Sequence, residues 1–271
     1  MRTIICVLSL TVACLSSGVA ADTKPLKALY ITGGCCHDYD NQKVIIPEGV
    51  SARANVTWEV VQEGGKGTKH RISIYEKPGW AKGYDIIFHN ECFADTDDAQ
   101  FVENVLAEHR SGVPAVVIHC TMHTFRSLKN DAWREFLGVK TTHHGSYQHP
   151  LDVRNLQPEN PIMTGFPKVW TTGNEELYAI DKVFPTATVL CKAMEKKKDK
   201  ETGKWVDTEK DNAIVWINNY GKGRVFGTTL AHNNSTIQNE NYMNMMARGI
   251  LWACDKLDEK GNPKPGYGPT K

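Results

Sequence analysis

The 271-residue chain lacks an excess of charge of either sign: 32 basic residues face 31 acidic ones, for a net charge of +1. No global field attracts nucleic acid or anionic lipid, and a small neutral ligand is the expected partner. It also lacks any apolar run of the roughly 20 residues needed to span a bilayer. The nearest approach, IICVLSLTVACL, is about a dozen residues long, follows Arg2, and leads into SSGVAAD. That pattern reads as a secretory signal over residues 1–21, cleaved after Ala20 or Ala21. Cys14 makes a poor lipobox. An exported, periplasmic or secreted protein without a membrane anchor is expected, its mature chain starting near Asp22.

No HExxH, CxxC or comparable local metal motif occurs, and there is no internal repeat. No disulfide framework is legible in the six cysteines left after signal removal, Cys35, Cys36, Cys92, Cys120, Cys191 and Cys254. The adjacent Cys35 and Cys36 could oxidise in an exported compartment or bind a soft metal, and small half-buried thiols are the simpler expectation. Cys120 lacks the flanking glycines of a strained nucleophile turn, so a plain thiol is expected there too.

What is present is an ordinary globular composition, 41% hydrophobic and 23% charged, sized for one α/β domain over residues 22–258. Short apolar runs alternate with amphipathic stretches, which predicts βαβ units and a largely parallel sheet. LKALYIT, VTWEVVQ, YDIIF and PAVVIH read as strands. FADTDDAQFVENVLAEHRSG reads as a helix capped by Thr96 and stopped by Gly112. The text between Lys140 and Phe184 loosens into His, Pro and Gly, as functional loops do, with strands at LDV and ELYAI. Residues 194–211 form a charged hairpin, NENYMNMMARGILWACDKL is the closing helix with a core-facing stripe, and residues 259–271 are a flexible tail.

Ten histidines are many for this length, and their positions matter more than their number. The stretch VWINNYGKGRVFGTTLAHNN, residues 215–234, reads as two strands joined by a glycine turn, with His232, Asn233 and Asn234 where the second one ends. LKALYIT runs through Gly33 and Gly34 to His37, and PAVVI runs directly into His119. Open α/β sheets bind ligands beyond the carboxyl ends of their strands, so these imidazoles are expected on one rim. His37, His119 and His232 form the candidate ligand set for a divalent transition metal, Zn, Mn, Fe, Co or Ni. His149, Glu176 and His232 are the candidate catalytic groups, and Arg126, Tyr178 and Asn233 the candidate substrate contacts. In the alternative, the histidines bond loop backbone and bind substrate hydroxyls without a metal. His89, with Asn90 and Glu91, is a further candidate, whereas His109 is expected to serve a helix dipole and His70 sits in a charged loop. No nucleotide cofactor is expected.

Taken together, LYITGGCCHDY, FVENVLAEHRSGVPAVVIHCTMH, GSYQHPLDV, ENPIMTGFP, NEELYAI, YGKGRVFGTTLAHN and GILWACD resemble the ThuA-like family over nearly the whole mature chain. The resemblance marks His37, His119, His149, Glu176 and His232. Departures are Cys35, Cys36 and Cys120, an altered turn at Tyr147, and Ala231 where the family carries glycine. It implies a flavodoxin-like three-layer sandwich of the class I glutamine amidotransferase type, with a mostly parallel sheet and without the amidotransferase triad. It also implies a carbohydrate-processing enzyme acting on oxidised, 3-keto glycosides by proton abstraction with elimination or hydrolysis. A non-catalytic extracytoplasmic sugar-binding protein is the alternative.

Overall fold

The computed structural model describes residues 24–270, so the stretch expected to be a secretory signal, residues 1–21, lies outside the described residues. Strands β1 (Leu26–Gly34), β2 (Val56–Gln62), β3 (Ile86–Cys92), β4 (Ala115–Ile118), β5 (Val139–Asn155), β6 (Val169–Val183), β7 (Ala187–Lys198), β8 (Trp205–Tyr220) and β9 (Gly223–Thr228) make one sheet. Its spatial order is β2-β1-β3-β4-β9-β8-β7-β5-β6. The first five neighbours pair in parallel, and from β9 onward every pairing is antiparallel. The expectation of a mostly parallel sheet is therefore corrected to a mixed one. Its parallel half keeps the 2-1-3-4-5 order of flavodoxin-like sheets, with β9 as fifth strand. The chain between β4 and β9 adds four strands to the edge, because long hairpins such as β7–β8 need no crossover helix.

Two apolar cores lie on opposite faces of the sheet. Along β1, Leu26, Ala28 and Tyr30 face one core while Leu29 and Ile31 face the other, and β3 and β4 alternate likewise. A strand buried on both faces reads as a continuous apolar run, as these do. Helices α1 (Tyr39–Ser51) and α5 (Glu240–Ala253) cover the first face, and α2 (Ala99–Ser111) and α3 (Ala132–Leu137) the second. Helix α2 starts two residues later than its sequence implies. Asp98, not Thr96, caps it by accepting from Gln100 N and Phe101 N at 3.0 Å, while the Thr96 hydroxyl bonds the backbone of His70.

The charged hairpin is the β7–β8 turn, with Asp199 accepting from Thr202 N at 2.7 Å. The segment after Asp258 is docked rather than free: Asn55 N donates to Tyr267 O at 3.0 Å and the Asn55 amide to Gly266 O at 3.0 Å. Chain order in β2-β1-β3 reverses at β1, which opens a crevice beyond the carboxyl ends of β1 and β3. No helix among the described residues is long and apolar enough to cross a membrane.

Candidate functional site

Three strand ends deliver three imidazoles to that crevice. At the end of β1, Gly34 takes φ +100°, and a Cβ there would overlap the backbone of Cys92, so only glycine lets the chain turn toward His37 this close to β3. His119 opens a 3-10 turn, His119–Met122, directly after β4, and His232 follows β9 by four residues. One ligating atom from each of His37, His119 and His232 lies within 4.8 Å of the others. Four non-glycine residues around them hold a positive φ: Cys36 at 86°, His119 at 44°, Gln148 at 57° and Ala231 at 102°. Such conformations persist only where surrounding contacts over-determine them, and they concentrate at functional sites.

Hydrogen bonds orient the rings of His119 and His232. His119 Nδ1 donates to the Thr229 carbonyl at 2.7 Å, so its Nε2 carries the lone pair, 3.3 Å from His232 Nδ1. His37 Nδ1 is buried with no hydrogen-bond partner among the described residues. The His232 backbone N–H donates to Glu175 Oε1 at 2.6 Å, which fixes the bend after Ala231. Beneath the rings lies Glu176. Its Oε2 is 3.3 Å from His119 Nε2 and 3.4 Å from His232 Nδ1, and its Oε1 pairs with His144 Nδ1.

Burial and charge sort these groups. Burial pushes the Glu176 carboxyl up, but the histidines around it outweigh that and hold it well below the usual carboxylate range, so it is an anion. Burial lowers His37 to about 2, helped by the positive potential of His119 and His232. Burial also lowers His119, against the pull of Glu176. For His232 burial is outweighed by Glu176 and Glu175, and its pKa rises. His37, His232 and the Glu176 carboxylate face a cavity of about 380 Å³, the size of a small-molecule site, and His119 is buried beside them, 3.3 Å from Glu176. Cys35, Cys36, Cys92, Cys120, His123, Arg126 and His144 also line it, together with Thr68, Ala94 and Asp95. A larger groove of about 780 Å³, lined by Asp40, Lys43, Gln62 and Glu63 among others, contains no imidazole.

The structure thus brings together His37, His119, His232, Glu176 and Arg126, and it sets three expected site residues apart. His149 is buried away from the cavity, with Nδ1 2.8 Å from the Pro150 carbonyl and its ring 4.5 Å from that of Trp205. Asn233 spends its amide on the Asn174 carbonyl at 2.6 Å. Tyr178 is fully buried behind the site, stacked on His123 at 4.5 Å and 4.9 Å from His119. His89 belongs to a separate buried network: its Nδ1 is 2.8 Å from Glu91, and its Nε2 is 3.1 Å from His109 Nε2. His109, expected only to serve a helix dipole, is a buried member of that network. Cys120 is paired with Cys92 and Cys35 with Cys36, so neither the free-thiol nor the nucleophile reading holds for them. His144 and His123 are site residues that the strand-end argument missed; His144 stands in the His-rich text between Lys140 and Phe184, and His123 follows β4 by five residues.

Comparison with known proteins agrees with this architecture. The chain is similar in structure to a ThuA-like protein from Parabacteroides merdae, with a TM-score of 0.65 and 19% identity, covering 92% of this chain and 98% of that one. A ThuA-like protein from Bacteroides uniformis gives a TM-score of 0.64 and 14% identity over 88% and 95% of the two chains. Part of a β-galactosidase from Rahnella sp. R3 shares the fold at a TM-score of 0.52 and 13% identity, over 83% of this chain and 31% of that one. No curated protein sequence matches the chain. The sequence profile of the ThuA family, described as trehalose utilisation, matches residues 47–253, most of the chain, and the protein therefore belongs to the ThuA family.

Proposed function

We propose that this protein is an exported enzyme that processes oxidised, 3-keto glycosides with the help of a divalent metal held by His37, His119 and His232. The observation that carries the proposal is the meeting of His37, His119 and His232 with an ionised Glu176 at a small-molecule cavity that His37, His232 and Glu176 line. The donor set fits: two of the rings are held neutral by burial, Thr229 fixes the tautomer of His119, and His37 Nδ1 is buried without a partner. When bound, the metal supplies a positive centre that polarises substrate oxygens. Glu176 keeps its negative charge beneath the rings.

A ketone at C3 acidifies the neighbouring C2 proton, so a base can remove it while the glycosidic oxygen at C1 leaves, and later addition of water gives net hydrolysis. His144 is the base this cavity offers. Its Nδ1 donates to Glu176, which leaves Nε2 as the acceptor of the ring, and its side chain is 40% exposed and so open to substrate. Arg126, also on the wall, offers a fork of donors to an oxygen-rich ligand.

Incubation of purified protein with a panel of 3-keto-glycosides and their unoxidised parents, read by mass spectrometry beside elemental analysis, tests the proposal. Turnover of the keto forms alone, with about one equivalent of metal, is expected. Stoichiometric sugar binding without turnover would convert the reading to a binding protein. Export is checked by terminal sequencing of secreted protein, which should begin at Ala21 or Asp22.

A further inference from the structure

The geometry points to a second activity in the same cavity wall: Cys35, Cys36, Cys92 and Cys120 form a two-electron thiol–disulfide relay that takes electrons from an external dithiol at its outer pair and delivers them to its inner pair. The outer disulfide, Cys35–Cys36, joins neighbours in sequence just past β1, where Cys36 is exposed and Cys35 half-buried. The inner disulfide, Cys92–Cys120, joins the end of β3 to the turn after β4, and its cysteines are only 2% and 4% exposed. Cys35 Sγ lies 3.8 Å from Cys92 Sγ, so the two pairs are in contact through these atoms. All four cysteines line one cavity. A purely structural role needs neither that contact nor an exposed outer pair beside a buried inner one. Exchange requires a thiolate to reach a disulfide sulfur, and access is what separates the two pairs here.

The steps balance. An external dithiol attacks the outer pair, breaks Cys35–Cys36 and is itself oxidised to a disulfide, leaving two thiols on the protein. The Cys35 thiolate then attacks Cys92 Sγ, which forms Cys35–Cys92 and expels Cys120 as a thiolate that takes a proton. The Cys36 thiolate next attacks Cys35, restores Cys35–Cys36 and releases Cys92, which takes the second proton. Two electrons have moved from the dithiol to the inner pair, and the outer pair is ready again.

Two single substitutions test this from opposite sides, since each leaves one thiol at the contact. Cys36→Ser should yield a Cys35–Cys92 disulfide with Cys120 alkylatable, and Cys120→Ser should yield the same disulfide with Cys36 alkylatable. Both are read by non-reducing peptide mass spectrometry, with the new linkage in at least about a tenth of the molecules. In the unaltered protein, half an equivalent of dithiothreitol should leave alkylatable thiols in both pairs. In the Cys35→Ser/Cys36→Ser protein, dithiothreitol should reduce the inner pair at least about tenfold more slowly. The relay is overturned if the original disulfides persist in both single variants, if thiols in the unaltered protein stay confined to the outer pair, or if removing that pair leaves the inner rate unchanged.

Discussion

Ala231 holds φ +102° immediately before His232, a conformation that an L-residue with a Cβ resists. The backbone N–H of His232 is tied to Glu175 and that of Asn233 lies 3.4 Å from the same oxygen, so the bend is imposed by the site rather than chosen by the alanine. Ala231→Gly should therefore raise stability by up to about 1 kcal/mol in thermal unfolding, relief of the native strain outweighing the extra freedom of the unfolded chain. A loss of stability would show that the bend is unstrained. At the neighbouring position, His232→Ala should lower both bound metal and turnover, whereas His144→Gln should keep the metal and lose turnover about 100-fold. Retained turnover in His144→Gln would remove it as the base.

Strands β5 and β6 explain why His144, and not His149, meets Glu176. Pairing runs His144 opposite Tyr178, Tyr147 opposite Glu176 and His149 opposite Glu175, with a register shift between each pair. Each shift inserts one residue and exchanges the two faces of the strand, so alternation counted from the sequence cannot say which histidine faces the cavity. Strands β1, β3 and β4 carry no such shifts, and the rim positions of His37 and His119 were legible from their uninterrupted apolar runs. The same contrast governs the sheet: parallel βαβ units announce themselves by periodicity, while a bulged antiparallel extension reads as loose, His-rich and Gly-rich text. The Cys92–Cys120 pairing was hidden for another reason, since a separation of 28 residues signals proximity only once β3 and β4 are known to be neighbours. Packing of α5 on β9 gives a test at this scale. Gly249 lies inside the helix, where a Cβ would overlap the ring of Phe226. Gly249→Ala gains about 1 kcal/mol of helix propensity but overpacks a closed core at a cost of about 1–3 kcal/mol. Net destabilisation is expected from the urea midpoint, and a more stable variant would mean that the core can yield.

Across the whole molecule, buried neutral imidazoles set the acid limit of the fold. Burial lowers His109 to about 3, with His89 adding to the effect and the Val113 carbonyl opposing it, and burial likewise lowers His123 to about 3. An unfolded histidine takes its proton near pH 6.5. Between that value and about pH 3 the unfolded chain binds protons that the folded chain refuses, so stability is fully present above pH 6.5 and falls as the pH drops through this window. One such group contributes a slope of about 1.4 kcal/mol per pH unit. His109 is the cleanest probe because it stands in the His89 network rather than among the groups of the cavity wall. Its ring donates through Nδ1 to the Val113 carbonyl at 2.9 Å, a bond a glutamine amide can replace without titrating. Urea unfolding of His109→Gln should show a lower stability at pH 7 and a slope between pH 6 and pH 4 that is shallower by about 1.4 kcal/mol per unit. An unchanged slope would mean that His109 takes its proton as readily folded as unfolded, and that the acid limit of the fold is set elsewhere.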